Sequence, residues 1–142
     1  MRSIFKEKYE KFYKNNFLSL VSLILFSGCF EETAADATEN FFYSVKEGNV
    51  EDYHKYSTES TQDIMNISFA KCTKDLSDCM KDSFQKFTKF KVVDSLEIDP
   101  TTTVVTVEEY TTDGKIIREK IYVSKIEEQW KVNLNLRSFY SR

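Results

Sequence analysis

Ala34, Ala37, Phe41, Phe42 and Val45 recur at the spacing of one helical face, with polar residues between them. Thr33 followed three positions later by Asp36 supplies a start signal, and Gly48 a stop. Asn49 offers a second cap before Val50-Glu51-Asp52 and a short helix carrying Tyr53 and Tyr56. A third helical stretch is predicted from about Ser60, with Ile64, Ile67 and Phe69 as its apolar positions. Met80, Phe84 and Phe87 continue at spacings of four and three.

From Phe90 the period changes to two. Phe90, Val92, Leu96 and Ile98 share one parity, which makes Asp94 the lone carboxylate on an apolar strand face; Asp99-Pro100 ends that strand. Residues 102–112 are rich in Thr and Val, and Asp113-Gly114 is a hairpin signal. Ile117, Glu119, Ile121, Val123 and Lys125 lie on one face of the next strand, and Glu127-Glu128-Gln129 makes a second turn. In the last strand Trp130, Val132, Leu134 and Leu136 are predicted inward, with Lys131, Asn133, Asn135 and Arg137 outward. Helices first and consecutive antiparallel strands after them define an α+β fold. N-terminal helices are expected to pack on a curved antiparallel sheet of about four strands.

The first thirty residues follow neither pattern. Five basic and two acidic side chains precede ten uncharged residues, Phe17 to Phe26, and then Ser27, Gly28 and Cys29. A basic start, an apolar run and a small-residue junction are the parts of a secretory signal peptide. Ten residues of helix reach only ~15 Å, half of a ~30 Å hydrocarbon core, so a membrane span is the weaker reading. Phe26-Ser27-Gly28-Cys29 resembles the lipobox of bacterial lipoproteins, although Phe26 stands where that family usually has Leu, Val or Ile. The resemblance implies a signal peptide over 1–28, lipidation of Cys29, a tether over 29–32 and a folded domain over 33–142. It also places the domain in the bacterial cell envelope, facing the periplasm. Phe30, where an Asp would signal retention in the inner membrane, favours the outer one. The competing reading is an ordinary signal peptide with a chance cysteine at its junction.

Composition narrows the chemistry. The chain has 142 residues, about one domain's worth, with only three Gly and one Pro. Without residues 1–28 it keeps fifteen basic against twenty-one acidic side chains, an anionic body ill-suited to nucleic acid. A single histidine, His54, rules out a multi-His metal site, and no phosphate-loop or dinucleotide Gly pattern is present. No metal or cofactor is therefore expected.

Cys72 and Cys79 remain once Cys29 is set aside, an even number for an oxidising compartment. On an unbroken helix their separation spans ~10.5 Å, beyond the ~4.4–6.8 Å between Cα atoms that a disulfide accepts. Either the thiols stay reduced on one helix, or the helix breaks within Thr73–Asp78 and they pair. Thr73, Asp75, Ser77 and Asp78 favour caps and turns, and with them the break and the disulfide.

The segment from Ala37 through Gly48 to Tyr53, together with Gly114-Lys115 and the later Gln129-Trp130-Lys131-Val132, resembles nuclear transport factor 2-like domains. With the lipobox, the chain looks like small bacterial lipoproteins carrying a lumazine-binding-like domain of unknown function. That resemblance implies a cone between helices and concave sheet, for which Phe41, Phe42, Tyr43, Tyr122 and Trp130 are candidate lining. The fold hosts many activities and implies none of them. The expected function is a non-catalytic binding or assembly module, held to the membrane through Cys29, that takes a small apolar ligand or an envelope protein. The alternative is a ketosteroid-isomerase-like enzyme with Asp94 as base and Tyr53, Tyr56 or Tyr110 as donors. His54, on a short helix, reads as an exposed residue before it reads as a proton carrier.

Overall fold

Thr33 and Asp36 close a reciprocal cap: the Asp36 amide donates to Thr33 Oγ1 at 3.1 Å, and the Thr33 amide donates to Asp36 Oδ2 at 3.0 Å. The helix they open, α1, runs Ala34–Glu47 and buries Ala34, Ala37, Phe41, Phe42 and Val45, the predicted stripe. The computed structural model describes residues 30–136, so Cys29 and the signal segment lie outside the described residues, as does Arg137. Gly48 ends α1 at φ 70°, and a Cβ there would lie 2.5 Å from Ser77 Oγ and 2.7 Å from Ser77 O. Both the turn and the close approach require glycine.

Three further helices follow, α2 (Val50–Lys55), α3 (Glu59–Phe69) and α4 (Leu76–Phe84), capped by Asn49, Thr58 and Asp75. On α3 the buried side chains are Thr61, Met65 and Phe69, while Ile67 is 77% exposed. The predicted apolar face was therefore rotated. A threonine belongs to the core because its hydroxyl bonds backbone there, which a search for apolar side chains passes over. Between α3 and α4 the helix breaks, and Cys72 and Cys79 are joined by a disulfide with Cα atoms 5.8 Å apart.

Four strands, β1 (Phe87–Asp99), β2 (Thr102–Thr111), β3 (Ile116–Ile126) and β4 (Gln129–Val132), form an antiparallel sheet in the order β1-β2-β3-β4. With the helices before it, this is the α+β architecture read from the sequence. Phe87 opens β1 instead of ending a helix. The pairing of Val92 with Val107 is followed by Asp94 with Thr106, which leaves Val93 as an extra residue in a bulge. The bulge reverses the parity. Phe90 stays in the core, but Leu96 and Ile98 are 60% and 56% exposed, not inward as predicted.

On its free edge β4 pairs with the α2–α3 junction: Val132 N donates to Tyr56 O at 2.8 Å, and Thr58 N donates to Val132 O at 3.1 Å. Asn133 N still donates to Tyr122 O at 2.8 Å, and the chain leaves the strand where Leu134 N donates to Thr61 Oγ1 at 2.9 Å. Leu134–Leu136 is a 3-10 turn, not the continuation of the strand that alternation suggested. α1 lies across the inner face of the sheet. Phe41, Phe42, Phe90, Val105, Val107, Ile121, Val123 and Val132 fill the space between them, with the Phe42 and Phe90 rings 4.9 Å apart. Each such side chain contributes roughly 1.5–3 kcal/mol on burial.

Candidate functional site

The interior is mostly apolar, with buried polar side chains such as Thr38, Thr61 and Glu109 among the aromatic and aliphatic ones. Tyr53 is fully buried, and its hydroxyl has no hydrogen-bond partner among the described residues. Burial, with a smaller contribution from the Asp63 carboxylate, pushes its pKa up to about 12. A phenol so placed stays protonated and does not exchange protons at neutral pH.

Beside the α2–α3 junction a groove of about 840 Å³ opens against the β3–β4 hairpin. His54, Ser57, Thr58, Gln62, Lys131 and Asn133 are among its lining residues. The Ser57 hydroxyl donates to Tyr53 O, Gln62 Nε2 donates to Ser57 Oγ at 3.2 Å, and Asn133 Nδ2 donates to Ser124 Oγ at 3.0 Å. These bonds fix the groove wall and use much of its polar capacity.

The outer sheet face, turned away from the helices, carries a third polar feature. Glu108 and Arg118 are cross-strand partners, and Arg118 Nε and Nη2 donate to Glu108 Oε1 at 2.8 and 2.6 Å. The Tyr110 hydroxyl donates to Glu108 Oε2 at 2.7 Å. The Tyr110 hydroxyl and the Arg118 guanidinium together hold the Glu108 carboxyl below its ordinary range, and Glu108 in turn raises the Tyr110 phenol. The Glu108 side chain is only 10% exposed while that of Arg118 is 71% exposed, so the cluster offers a guanidinium to solvent and withholds its carboxylate.

The family model described as Domain of unknown function (DUF4878) matches residues 27–133. The chain belongs to the DUF4878 family. No curated protein matches the chain. Among solved structures, the DUF4878 domain is similar to a protein from Campylobacter jejuni provisionally named an NTF2-like transpeptidase, with a crystal structure at 2.00 Å resolution. The identity is 14% and the TM-score 0.47, over 68% of this chain and 94% of that one. A likeness of that size transfers no activity.

Within the DUF4878 domain the residues singled out from the sequence do not converge. Asp94 is exposed beside the β1 bulge, on the outer face, and its Oδ1 accepts from the Ser95 amide at 2.9 Å. His54 is exposed on α2 with its ring 5.2 Å from that of Tyr53. Tyr56 is buried, with Lys55 Nζ donating to its hydroxyl at 2.8 Å, and Tyr110 belongs to the outer cluster. Phe41 and Phe42 are core, Tyr43 and Trp130 pack partly buried against it, and Tyr122 pairs with Val104 on the outer face. Glu109, buried on the inner face opposite Ile117, was missed, as was Glu108. The signal for both was the hairpin at Asp113-Gly114, whose loop length decides which of two adjacent glutamates meets Arg118.

Proposed function

We propose that this chain is a lipid-anchored bacterial envelope protein whose DUF4878 domain faces the periplasm and works by binding, not by catalysis. Ser27-Gly28-Cys29 after a basic and apolar leader supports the anchor, and Phe30 favours the outer membrane. The Cys72–Cys79 disulfide fits an oxidising compartment. Cys29 is the proposed point of membrane attachment; among the described residues no helix is long and apolar enough to cross a bilayer.

The observation that carries the binding reading is the position of Asp94. The carboxylate that an isomerase-like site needs toward the core sits on the opposite side of the sheet, in solvent. The space between α1 and the sheet is occupied by packed aromatic and aliphatic side chains. A catalytic alternative has to run through Glu109 instead.

Two measurements test this. In the native envelope, Cys29→Ser is expected to abolish fatty-acid labelling and to leave an uncleaved precursor; persistent labelling defeats the anchor. Asp94→Asn and Glu109→Gln are expected to rescue the cellular phenotype of a whole-chain deletion as fully as wild type does. Failure of either variant to rescue, at wild-type fold and abundance, overturns the binding reading in favour of an enzyme.

A further inference from the structure

Strand register sorts the charged side chains of the sheet onto two faces. Outward rows run Lys89–Tyr110–Ile116, Lys91–Glu108–Arg118, Asp94–Thr106–Lys120, Leu96–Val104–Tyr122 and Asp99–Thr102–Ser124–Lys131. That face carries five basic side chains and three acidic ones, of which Glu108 is nearly buried under Arg118. Residues 30–136 as a whole carry thirteen basic against twenty-one acidic side chains. A face of net +2 therefore stands on a body of net −8, and the remainder of that body is at −10. Leu96 and Ile116, 60% and 56% exposed, give the same face apolar contact points.

We infer that the outer face of the sheet is a docking surface for an acidic surface of another envelope protein. The inference deepens the binding reading above and rests on it. Opposite charge supplies the complementarity that selects and steers such a partner. Pairing of two copies face to face brings like charge together and is disfavoured. The lipid bilayer fits poorly as the occupant. α1, which the anchored segment enters, lies on the other side of the sheet, and four residues of tether reach at most about 14 Å. Three strands about 4.8 Å apart and about ten residues long, with the short β4 beside them, offer roughly 500 Å². That is somewhat less than the ~800 Å² per partner of a standard interface, so the contact is a transient one.

The test uses the full lipid-modified chain in non-ionic detergent, with immobilised poly-L-glutamate as probe. The variant Lys89→Glu/Lys120→Glu/Lys131→Glu is compared with Lys71→Glu/Lys81→Glu/Lys115→Glu, which changes net charge equally but elsewhere. The outer-face variant is expected to lose about tenfold in binding and the control less than about twofold, with wild-type binding weakened by salt. Equal losses in both variants, or no wild-type binding, overturn the assignment. In intact cells, a photoreactive phenylalanine analogue replacing Lys120 is expected to give an adduct mapped to an acidic protein segment. An adduct with lipid or with a second copy overturns the occupant. Protein adducts from other surface positions but none from Lys120 sink this surface and leave the binding reading standing. Adducts from no position at all count against both.

Discussion

Thr61 on α3 donates its hydroxyl to the carbonyl of Val132, 71 residues further along the chain and 2.8 Å away. The same oxygen accepts from the Leu134 amide at 2.9 Å, and Thr61 is fully buried. One hydroxyl thus ties a helix to the end of the last strand and starts the 3-10 turn beyond it. Thr61→Val keeps the shape and removes both bonds, together with the one that the Thr58 hydroxyl donates to the same oxygen at 3.0 Å, and is expected to cost about 2 kcal/mol in urea unfolding. Thr61→Ser, which keeps the hydroxyl, is expected to cost less than half as much.

Gly48→Ala is expected to be more damaging than its size suggests. The left-handed backbone costs an L-residue roughly 1–2 kcal/mol, and the added Cβ meets the Ser77 carbonyl as well as its hydroxyl. A loss of at least about 2 kcal/mol is predicted. Ser77→Ala added to Gly48→Ala should recover little of it, because the backbone clash remains.

Tyr53→Phe is expected to leave stability unchanged or raise it by about 1 kcal/mol, since it removes a buried hydroxyl without a partner. The pH dependence gives a sharper readout. With the folded pKa raised to about 12, protonated Tyr53 adds no pH dependence below the unfolded value near 10; stability is lost as pH rises from there through the folded value. Thermal unfolding between about pH 10 and pH 12 should fall less steeply in Tyr53→Phe than in wild type. Parallel curves would show that Tyr53 ionises no later than an exposed tyrosine.

Cys72→Ser/Cys79→Ser opens a loop of about eight residues and is expected to cost ~2.5 kcal/mol on the chain-entropy account. Under reducing conditions the wild type should approach the variant. A difference that survives full reduction would assign the loss to side-chain packing.

The β3–β4 turn places Glu127 and Glu128 at φ 49° and 63°. Two consecutive left-handed residues are the geometry that Asn-Gly fills without strain. Replacing the pair with Asn-Gly is expected to raise stability by about 1–2 kcal/mol, against a small loss from the ion pair between half-buried Lys125 and exposed Glu128. An unchanged unfolding midpoint would count against strain at this turn.

Sequence reading went furthest where the decisive chemistry is local. Thr33 with Asp36, Gly48 and Asn49 mark helix boundaries by their own side chains or lack of one, and the structure places the caps there. It failed where one inserted residue changes everything after it. A bulge at Val93 leaves no mark in composition, yet it turns Leu96 to the outer face, and a second irregularity between Glu97 and Asp99 leaves Ile98 unpaired and exposed. The outer-face charge pattern was hidden for a related reason. A two-residue loop at Asp113-Gly114 pairs Glu109 with Arg118, whereas the observed loop, closed by Thr111 N donating to Lys115 O, pairs Glu108 with it. The shift of one residue sets which glutamate is buried in the core and which supports the guanidinium outside. The end of β4 depends on the Thr61 hydroxyl, distant in sequence, which takes the Leu134 amide and which no alternation of side chains records.

The cap at Thr33 has a mechanical meaning. Any tension on the chain before it reaches the fold first at the capped turn of α1. Because α1 lies across the inner face of the sheet, such a load spreads in shear over the packed Phe41, Phe42 and Val45 side chains and does not peel one strand from its neighbour. A pull transmitted this way meets many contacts at once, so the fold is braced against force from the end where an anchor would apply it.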